Sequence, residues 1–500
     1  MRAEQCCAGY HDRWMENERN RWRAIILAAL AAGLLLRLWF LRHAPAVSGD
    51  GLVYGGIAKN WLTRGVYGFD TDGGGFVSPT LIRLPGYPIF LAVCFKLFGV
   101  ERYSAIRYLQ VLTDLITCAF CAATARRLLG KRAGLATLCL AAFCPFTADY
   151  APAILTECLV LLTIAVAFYA FLRWHQADAA FNRWLWLLSA SLTASLLLRP
   201  EQGLLAASIL PAMAWVLWRK HRSLGPVLAC AACVLIPLVP WTVRNWRSFH
   251  VFQPLAPRYA NDPGESPPLG FARWYRTWAI DFSSTDQVYW NYNTDRIDPN
   301  MLPERAFDSG SPVETDRVRR QTLELLNTYN QSAVQTPATE AGFAALAKQR
   351  IRSHPLRYYI GLPLARLADM ALRPRTEMMA IPLEWWRWRG HLRTSLMAAG
   401  YAALNLFYLA LAIAGFLKWR RSRFAPDPPL AWAMIATVTL RCILLLTIDN
   451  SEPRYTLEFF PVVFIGAAAV FAKRLASSHR TAPDQPGRPL GETPQLETTL

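Results

Sequence analysis

The chain has 500 residues, 53% hydrophobic and only 18% charged, with a formal net charge of +18 and a mean hydropathy of +0.18. A soluble globular chain carries about 25% charged residues, and the apolar residues here run in long blocks. Disorder, collagen and coiled coil are excluded as overall classes, a soluble enzyme does not suit the composition, and the pattern predicts an all-α polytopic membrane protein.

The positive charge sits in short clusters at the ends of apolar blocks: Arg126, Arg127, Lys131 and Arg132; Arg219, Lys220 and Arg222; Lys418, Arg420, Arg421 and Arg423; Lys473 and Arg474. That is the pattern of cytoplasmic loops under the positive-inside rule, so no nucleic-acid partner is expected.

In chain order, residues 1–23 read as a cytoplasmic N-terminus. Residues 24–41 read as an uncleaved first span, despite a signal-like Ala44-Pro45-Ala46 after it. A hydrocarbon core about 30 Å thick needs about 20 apolar helical residues. Further spans are predicted at 104–128, 133–148, 151–172, 184–198, 202–218, 224–243, 395–417, 430–448 and 455–472, giving about ten. The chain divides into a transmembrane core over 24–245, an external segment over 246–394, C-terminal spans over 395–475, and a disordered cytoplasmic tail over 476–500. Residues 86–99 and 355–372 are apolar but carry Lys96, or Pro363, Arg366 and Asp369. They read as interfacial or re-entrant helices.

With the N-terminus inside, every basic cluster falls inside, and so does the C-terminus. The first external loop 42–103, the turns at Asp149 and Arg199-Pro200, the segment 246–394 and the turn 449–454 then share the external face. Lys59, Arg64, Arg83, Lys96, Arg102 and Arg107 depart from the rule on that face, and are expected to meet an anionic ligand.

Most of the eleven cysteines lie in apolar blocks. Cys118/Cys121 and Cys230/Cys233 have CxxC spacing without polar companions, so packing is expected rather than metal binding. Cys6 and Cys7 read either as palmitoylation sites or as incidental thiols. In 246–394 the periodicity predicts helices around 314–331 and 339–353. Trp274, Tyr275, Trp278, Tyr289, Trp290 and Tyr292 read either as sugar-stacking surfaces or as an interfacial belt, and Trp385-Trp386-Arg387-Trp388-Arg389 reads as an interfacial anchor.

The first external loop holds the most informative pattern. Val53, Ile57 and Trp61 share one face of a short amphipathic helix over 51–64, with Asp50 where an N-cap would stand. Two readings of Asp50 stay open: a cap worth about 1 kcal/mol, or a carboxylate acting as general base at the membrane surface. Arg83 precedes the bend Pro85-Gly86-Tyr87-Pro88, and either holds a phosphate in its fork or snorkels to headgroups. Asp149 and Glu157, Arg199-Pro200-Glu201, Arg244-Asn245 and Asp449-Asn450-Ser451-Glu452-Pro453-Arg454-Tyr455 recur on the same side. Ionisable groups near a membrane core are costly and mark functional sites.

The order Asp-Gly-x-x-Tyr-x-x-x-Ala-x-Asn (50–60), Arg-x-Pro-Gly-Tyr-Pro (83–88), Leu-Thr-Glu (155–157), Arg-Pro-Glu (199–201), Arg-Asn (244–245) and Pro-Arg-Tyr (453–455) resembles the GT-C membrane glycosyltransferases over about residues 24–473. The resemblance is to the bacterial branch related to aminoarabinose–lipid A transferases and protein O-mannosyltransferases. It implies a GT-C-like bundle in a cytoplasmic (inner) membrane. It also implies a polyprenyl-phosphate sugar donor, transfer on the external face, and a lipid, glycan or protein acceptor.

By that resemblance Asp50 is the catalytic aspartate, and Arg83, Arg244 and Arg454, with Tyr455, contact the donor phosphate. Tyr54, Tyr87, Asn245 and Glu452 contact substrate. Gly51 departs from the pattern, because some mannosyltransferases carry a second acid there; Asp149 or Glu157 would have to supply it. No cofactor is expected, and a divalent cation has no support: there is neither a glycine-rich phosphate loop nor an HExxH site. The competing classes are a polyprenyl-linked glycan flippase or transporter, and a polymer ligase.

Overall fold

The computed structural model describes residues 2–71, 75–309, 311–421 and 427–472. The tail 476–500 and the basic residues Arg423, Lys473 and Arg474 lie outside the described residues, as do the side chains of Cys6 and Cys7. The chain is all-α apart from one short hairpin. Its helices are α1 (Arg2–His43), α2 (Asp50–Arg64), α3 (Gly86–Phe98), α4 (Tyr103–Leu129), α5 (Lys131–Ala142), α6 (Pro145–Tyr150), α7 (Glu157–His175), α8 (Arg183–Leu198), α9 (Gly203–Arg219), α10 (Gly225–Leu235) and α11 (Leu238–Phe249). After these come α12 (Leu269–Tyr275), α13 (Phe282–Ser284), α14 (Pro312–Asn330), α15 (Pro337–Ser353), α16 (Leu362–Leu372), α17 (Leu392–Arg421), α18 (Pro428–Leu445) and α19 (Phe460–Ala468).

Seven segments among the described residues are long and apolar enough to cross a membrane: Glu18–His43, α4, α7, Gly225–Phe249, α17, α18 and Pro453–Phe471. Three more of the expected spans are helical but shorter. Residues 133–148 are broken into α5 and α6, because Pro145 cannot continue a helix that runs into it. Residues 184–198 and 202–218 become α8 and α9, of 16 and 17 residues. All three pack into the same bundle, α5 on α4, α8 on α7, and α9 on α18. The expected span 151–172 starts late, at Glu157, after turns through Pro152. Pro237 divides the span beginning at Gly225 into α10 and α11.

Within the bundle, Arg37 of α1 is fully buried. Its Nε donates to Asp114 of α4 at 2.7 Å, and Nη1 donates to the carbonyls of Gly33 at 2.9 Å and Ala142 at 2.8 Å. Nη2 reaches the carbonyl of Ala141 and Cys118 Sγ, both at 3.3 Å. This pair ties α1, α4 and the end of α5 together. Cys118, Cys121 and Cys230 are buried free thiols, as packing residues should be.

The segment between α1 and α4 folds as α2, a hairpin of β1 (Gly68–Thr71) and β2 (Phe76–Pro79) in antiparallel register, and α3. The 13-residue α3 is too short to span; it packs on α2 and α8. The other expected interfacial stretch forms a π-helical turn, Arg357–Gly361, leading into α16. The segment 246–394 is mainly helical and has its own core, in which Phe271, Trp274, Tyr275, Trp278, Tyr292, Tyr329 and Phe343 pack with α14 and α15.

Candidate active site

Gly49 caps α2 with φ +51°, a backbone conformation suited to glycine, and Asp50 is the first helical residue. No side chain caps this helix, which settles the two readings of Asp50 against the cap. Its carboxylate turns instead to two guanidinium groups. Arg83 Nη2 donates to Oδ1 at 2.8 Å, and Arg454 Nη2 donates to Oδ2 at 3.0 Å. Burial pushes the Asp50 carboxyl up, but the charges of Arg454 and Arg83 and their hydrogen bonds outweigh it and hold the group well below the usual carboxylate range.

A second layer of ion pairs surrounds this centre. Arg454 also pairs with Glu452 and lies 3.9 Å from Glu157. Arg199, from the turn before α9, pairs with Glu201 at 2.7 Å, with Glu157 at 3.1 Å and with Glu458 at 3.8 Å. Arg441 of α18 pairs with Glu458 at 3.0 Å and Glu201 at 3.6 Å. Glu452 is held further by Asn450 at 2.6 Å and by the Tyr455 hydroxyl at 2.8 Å. Such density of charge in a buried region is stable only because each charge has partners.

Two cavities meet at Asp50. The first, of about 610 Å³, is lined by Asp50, Tyr54, Arg83, Glu157, Arg199, Glu201, Arg258, Arg441, Asp449, Glu452, Arg454 and Tyr455, so five arginines face five carboxylates. The second, of about 650 Å³, is lined by residues 44–51, Arg107, Tyr150, Ile154, Asp286, Glu377 and Met378. Asp50, Leu155, Trp290, Glu452 and Arg454 line both. The partition between the cavities thus carries the carboxylate and one of its two arginines.

Seven of the eleven expected site residues therefore line the first cavity: Asp50, Tyr54, Arg83, Glu157, Glu452, Arg454 and Tyr455. Four do not. Arg244 donates to the carbonyls of Thr80 at 2.6 Å and Tyr67 at 2.7 Å, and packs over Tyr67, Trp241 and Phe249. It clamps the ends of the hairpin onto α11 and lines neither cavity. Asn245 is fully buried and donates to the Gln253 carbonyl at 2.7 Å. The buried Tyr87 hydroxyl donates to Gln110 at 3.2 Å. Neither lines either cavity. Asp149 lies in α6, buried and without a partner among the described residues; burial and the nearby charge of Glu377 push its carboxyl up to about 8.

The expectation that the loop's cations face an anion holds for few of them. Lys59 pairs with Glu101 at 3.2 Å and Arg64 with Asp70 at 2.9 Å, both at the surface, and Lys96 and Arg102 are exposed. Of these cations, Arg83 lines the first of the two cavities and Arg107 the second. The aromatics at 274–292 also divide. Trp274, Tyr275, Trp278 and Tyr292 are buried core of the external segment, neither belt nor platform, while Tyr289 and Trp290 line the first cavity.

Arg199, Glu201 and Asp449 fall on the shared face in the sequence reading without a specific role, and Arg258 and Arg441 are not singled out there; all five line the first cavity. For Arg441 the available signal was a lone charge inside an apolar span. Arg258 had none, since it lies in a Pro-rich loop and reaches Asp449 at 3.3 Å only through the fold. The departure at Gly51 has a steric reason. A Cβ there would lie 2.9 Å from Val47 Cγ1 and 3.1 Å from the Ile154 carbonyl, so a second acid has no room.

Residues 80–243, about a third of the chain, match the family of dolichyl-phosphate-mannose-protein mannosyltransferases. The chain resembles the GT-C membrane glycosyltransferases. No curated protein matches the sequence. Among solved structures, ArnT from Cupriavidus metallidurans bound to undecaprenyl phosphate is similar at 15% identity and TM-score 0.38, covering 89% of this chain and 77% of that one. The archaeal oligosaccharyltransferase AglB from Archaeoglobus fulgidus, in complex with an inhibitory peptide and a dolichol-phosphate, is similar at 11% identity and TM-score 0.43, covering 90% of this chain and 50% of that one.

Proposed function

We propose that this chain is a membrane glycosyltransferase that moves a sugar from a polyprenyl-phosphate donor to the hydroxyl of a lipid, glycan or protein acceptor. The observation that carries the reading is Asp50 in the partition between two cavities, gripped by Arg83 and Arg454. The arginine-rich first cavity takes the donor, and the second takes the acceptor. Transfer occurs on the external face, with both termini cytoplasmic, in the inner membrane.

Asp50 gripped by two arginines is a poor base, and the donor phosphate is what changes that. Arg83 and Arg454 fork onto the phosphate oxygens and so withdraw positive charge from Asp50. Asp50, still partly desolvated, becomes more basic as that charge is withdrawn. The acceptor oxygen attacks the anomeric carbon from the second cavity. The bond from that carbon to the phosphate oxygen breaks, and the acceptor proton passes to Asp50. The lipid phosphate leaves with one more negative charge, which the arginines stabilise. One displacement inverts the anomeric configuration. Glu157 and Glu452 orient Arg454 and Arg199 in this scheme, and Tyr54 lines the donor side.

The test is incubation of the purified protein with a labelled polyprenyl-phosphate sugar and a crude envelope acceptor. The reading requires free polyprenyl phosphate together with a glycosylated acceptor. Translocation of the intact donor without bond cleavage would make the chain a flippase.

A further inference from the structure

We propose that the second cavity recognises the acceptor as an uncharged, hydroxyl-rich carbohydrate group, through the carboxylates of Glu377 and Asp286, and disfavours phosphate-bearing groups. This rests on the two-cavity reading above and names the acceptor chemistry.

Of the cavity's two cations only Arg454 is paired with carboxylates; Arg107 pairs with none among the described residues, and its Nε is buried without a hydrogen-bond partner. Arg454 is held by Asp50 and Glu452, and Arg107 sits beside residues 44–51 with Nη2 on the Pro45 carbonyl at 2.6 Å. Its carboxylates outnumber them, with Asp50, Asp286, Glu377 and Glu452 facing Arg107 and Arg454. Two of the four form no direct ion pair among the described residues, although the charge of Arg375, outside the lining, is felt at Glu377. Glu377 accepts from the Tyr150 hydroxyl through Oε1 at 2.9 Å, while its Oε2 is buried with no hydrogen-bond partner. Asp286 is half-buried and has no partner among the described residues.

A buried acceptor without a donor carries a standing desolvation cost that a ligand's donor removes. The missing component is thus a set of O–H donors. A phosphate, which offers acceptors and negative charge, would meet like charge. The remainder of the lining is largely small and apolar, from Ala44, Ala46 and Ala153 to Ile154 and Leu383, and suits the carbon faces of a sugar ring. The first cavity differs in having its five arginines and five carboxylates matched.

The experiment measures binding of p-nitrophenyl maltoside and p-nitrophenyl phosphate to the full-length protein in lipid nanodiscs. It compares wild type, Glu377→Gln and Asp286→Asn. The amide introduced by Glu377→Gln keeps an acceptor oxygen for the Tyr150 hydroxyl, so the fold should survive. The maltoside should bind wild type more tightly than the phosphate probe, and each variant should lose about tenfold of that affinity. The phosphate probe should bind the variants no more weakly than wild type. Maltoside affinity unchanged in both variants, or a phosphate probe that displaces the maltoside at equal concentration, would overturn the proposal. Transfer from the labelled lipid donor to the crude envelope acceptor, measured in parallel, reports on the first cavity. Its absence while the maltoside still binds as expected would sink the transferase reading and leave the acceptor inference standing.

Discussion

Arg454 Nη2 donates to Asp50 Oδ2 at 3.0 Å across 404 residues of sequence, joining the loop after α1 to the turn after α18. The carboxylate proposed as the base is therefore positioned by the far end of the chain, and its charge is neutralised until something competes for the arginines. Replacing Arg454 or Arg83 with Ala should raise the donor concentration needed for half-maximal transfer by at least about tenfold, since a charged bidentate contact is lost. Lys should rescue only partly, because the fork is gone. Titration of donor in a transfer assay checks this. Unchanged donor dependence in both Ala variants would leave the phosphate with another site.

Arg244 makes the opposite prediction. Its guanidinium holds the Tyr67 and Thr80 carbonyls and lines neither cavity. Arg244→Ala should lower the melting temperature of the purified protein while leaving the donor KM within about twofold of wild type, as expected where no ligand contact is removed. A sharp rise in donor KM with an unchanged melting temperature would return Arg244 to the donor site.

The bundle and the gathering of charged loop residues into one site were legible from hydropathy and the ordered motifs. What escaped was set by three-dimensional pairing. Arg441 and Glu458 read as isolated charges in apolar spans, yet they meet at 3.0 Å and complete the wall with Arg199. For Asp50 a helix cap and a general base both stayed open, because Asp before an amphipathic run is a strong local capping signal; Gly49 takes the cap, and long-range arginines claim the carboxylate. The aromatic stretch at 274–292 had no period to reveal its orientation, and most of it turned out to be the core of the external segment.

The Arg37–Asp114 pair is buried and fully hydrogen-bonded within the membrane bundle. Removing one partner strands the other, so Asp114→Ala should cost on the order of 3–5 kcal/mol of stability. Transfer per folded molecule should change little. Denaturation in mixed micelles, with activity normalised to folded protein, separates the two effects.

Asp149 predicts a pH dependence. Its carboxyl is pushed up to about 8 in the folded chain, against about 3.9 unfolded. A raised folded value means that the folded state holds the proton more tightly. The stability from Asp149 is fully present below about pH 4 and is lost as pH rises towards 8. The difference in melting temperature between wild type and Asp149→Asn should therefore move against wild type across that window. A difference that stays constant with pH would mean that the carboxyl titrates normally.

The most direct measurement is sugar transfer by Asp50→Asn from a labelled polyprenyl-phosphate donor. The substitution keeps the size of the side chain and one oxygen for one of the two arginines, and it removes the proton-accepting carboxylate together with its pairing to the other. A general base contributes on the order of 10²–10⁴-fold, so transfer should fall by that factor while the protein inserts, folds and binds donor lipid. Asp50→Glu should also retain little activity, because an extra methylene displaces the carboxylate. Near-normal transfer by a well-folded Asp50→Asn protein would contradict the assignment of Asp50 as the base, and would send the search to Glu157 and Asp149.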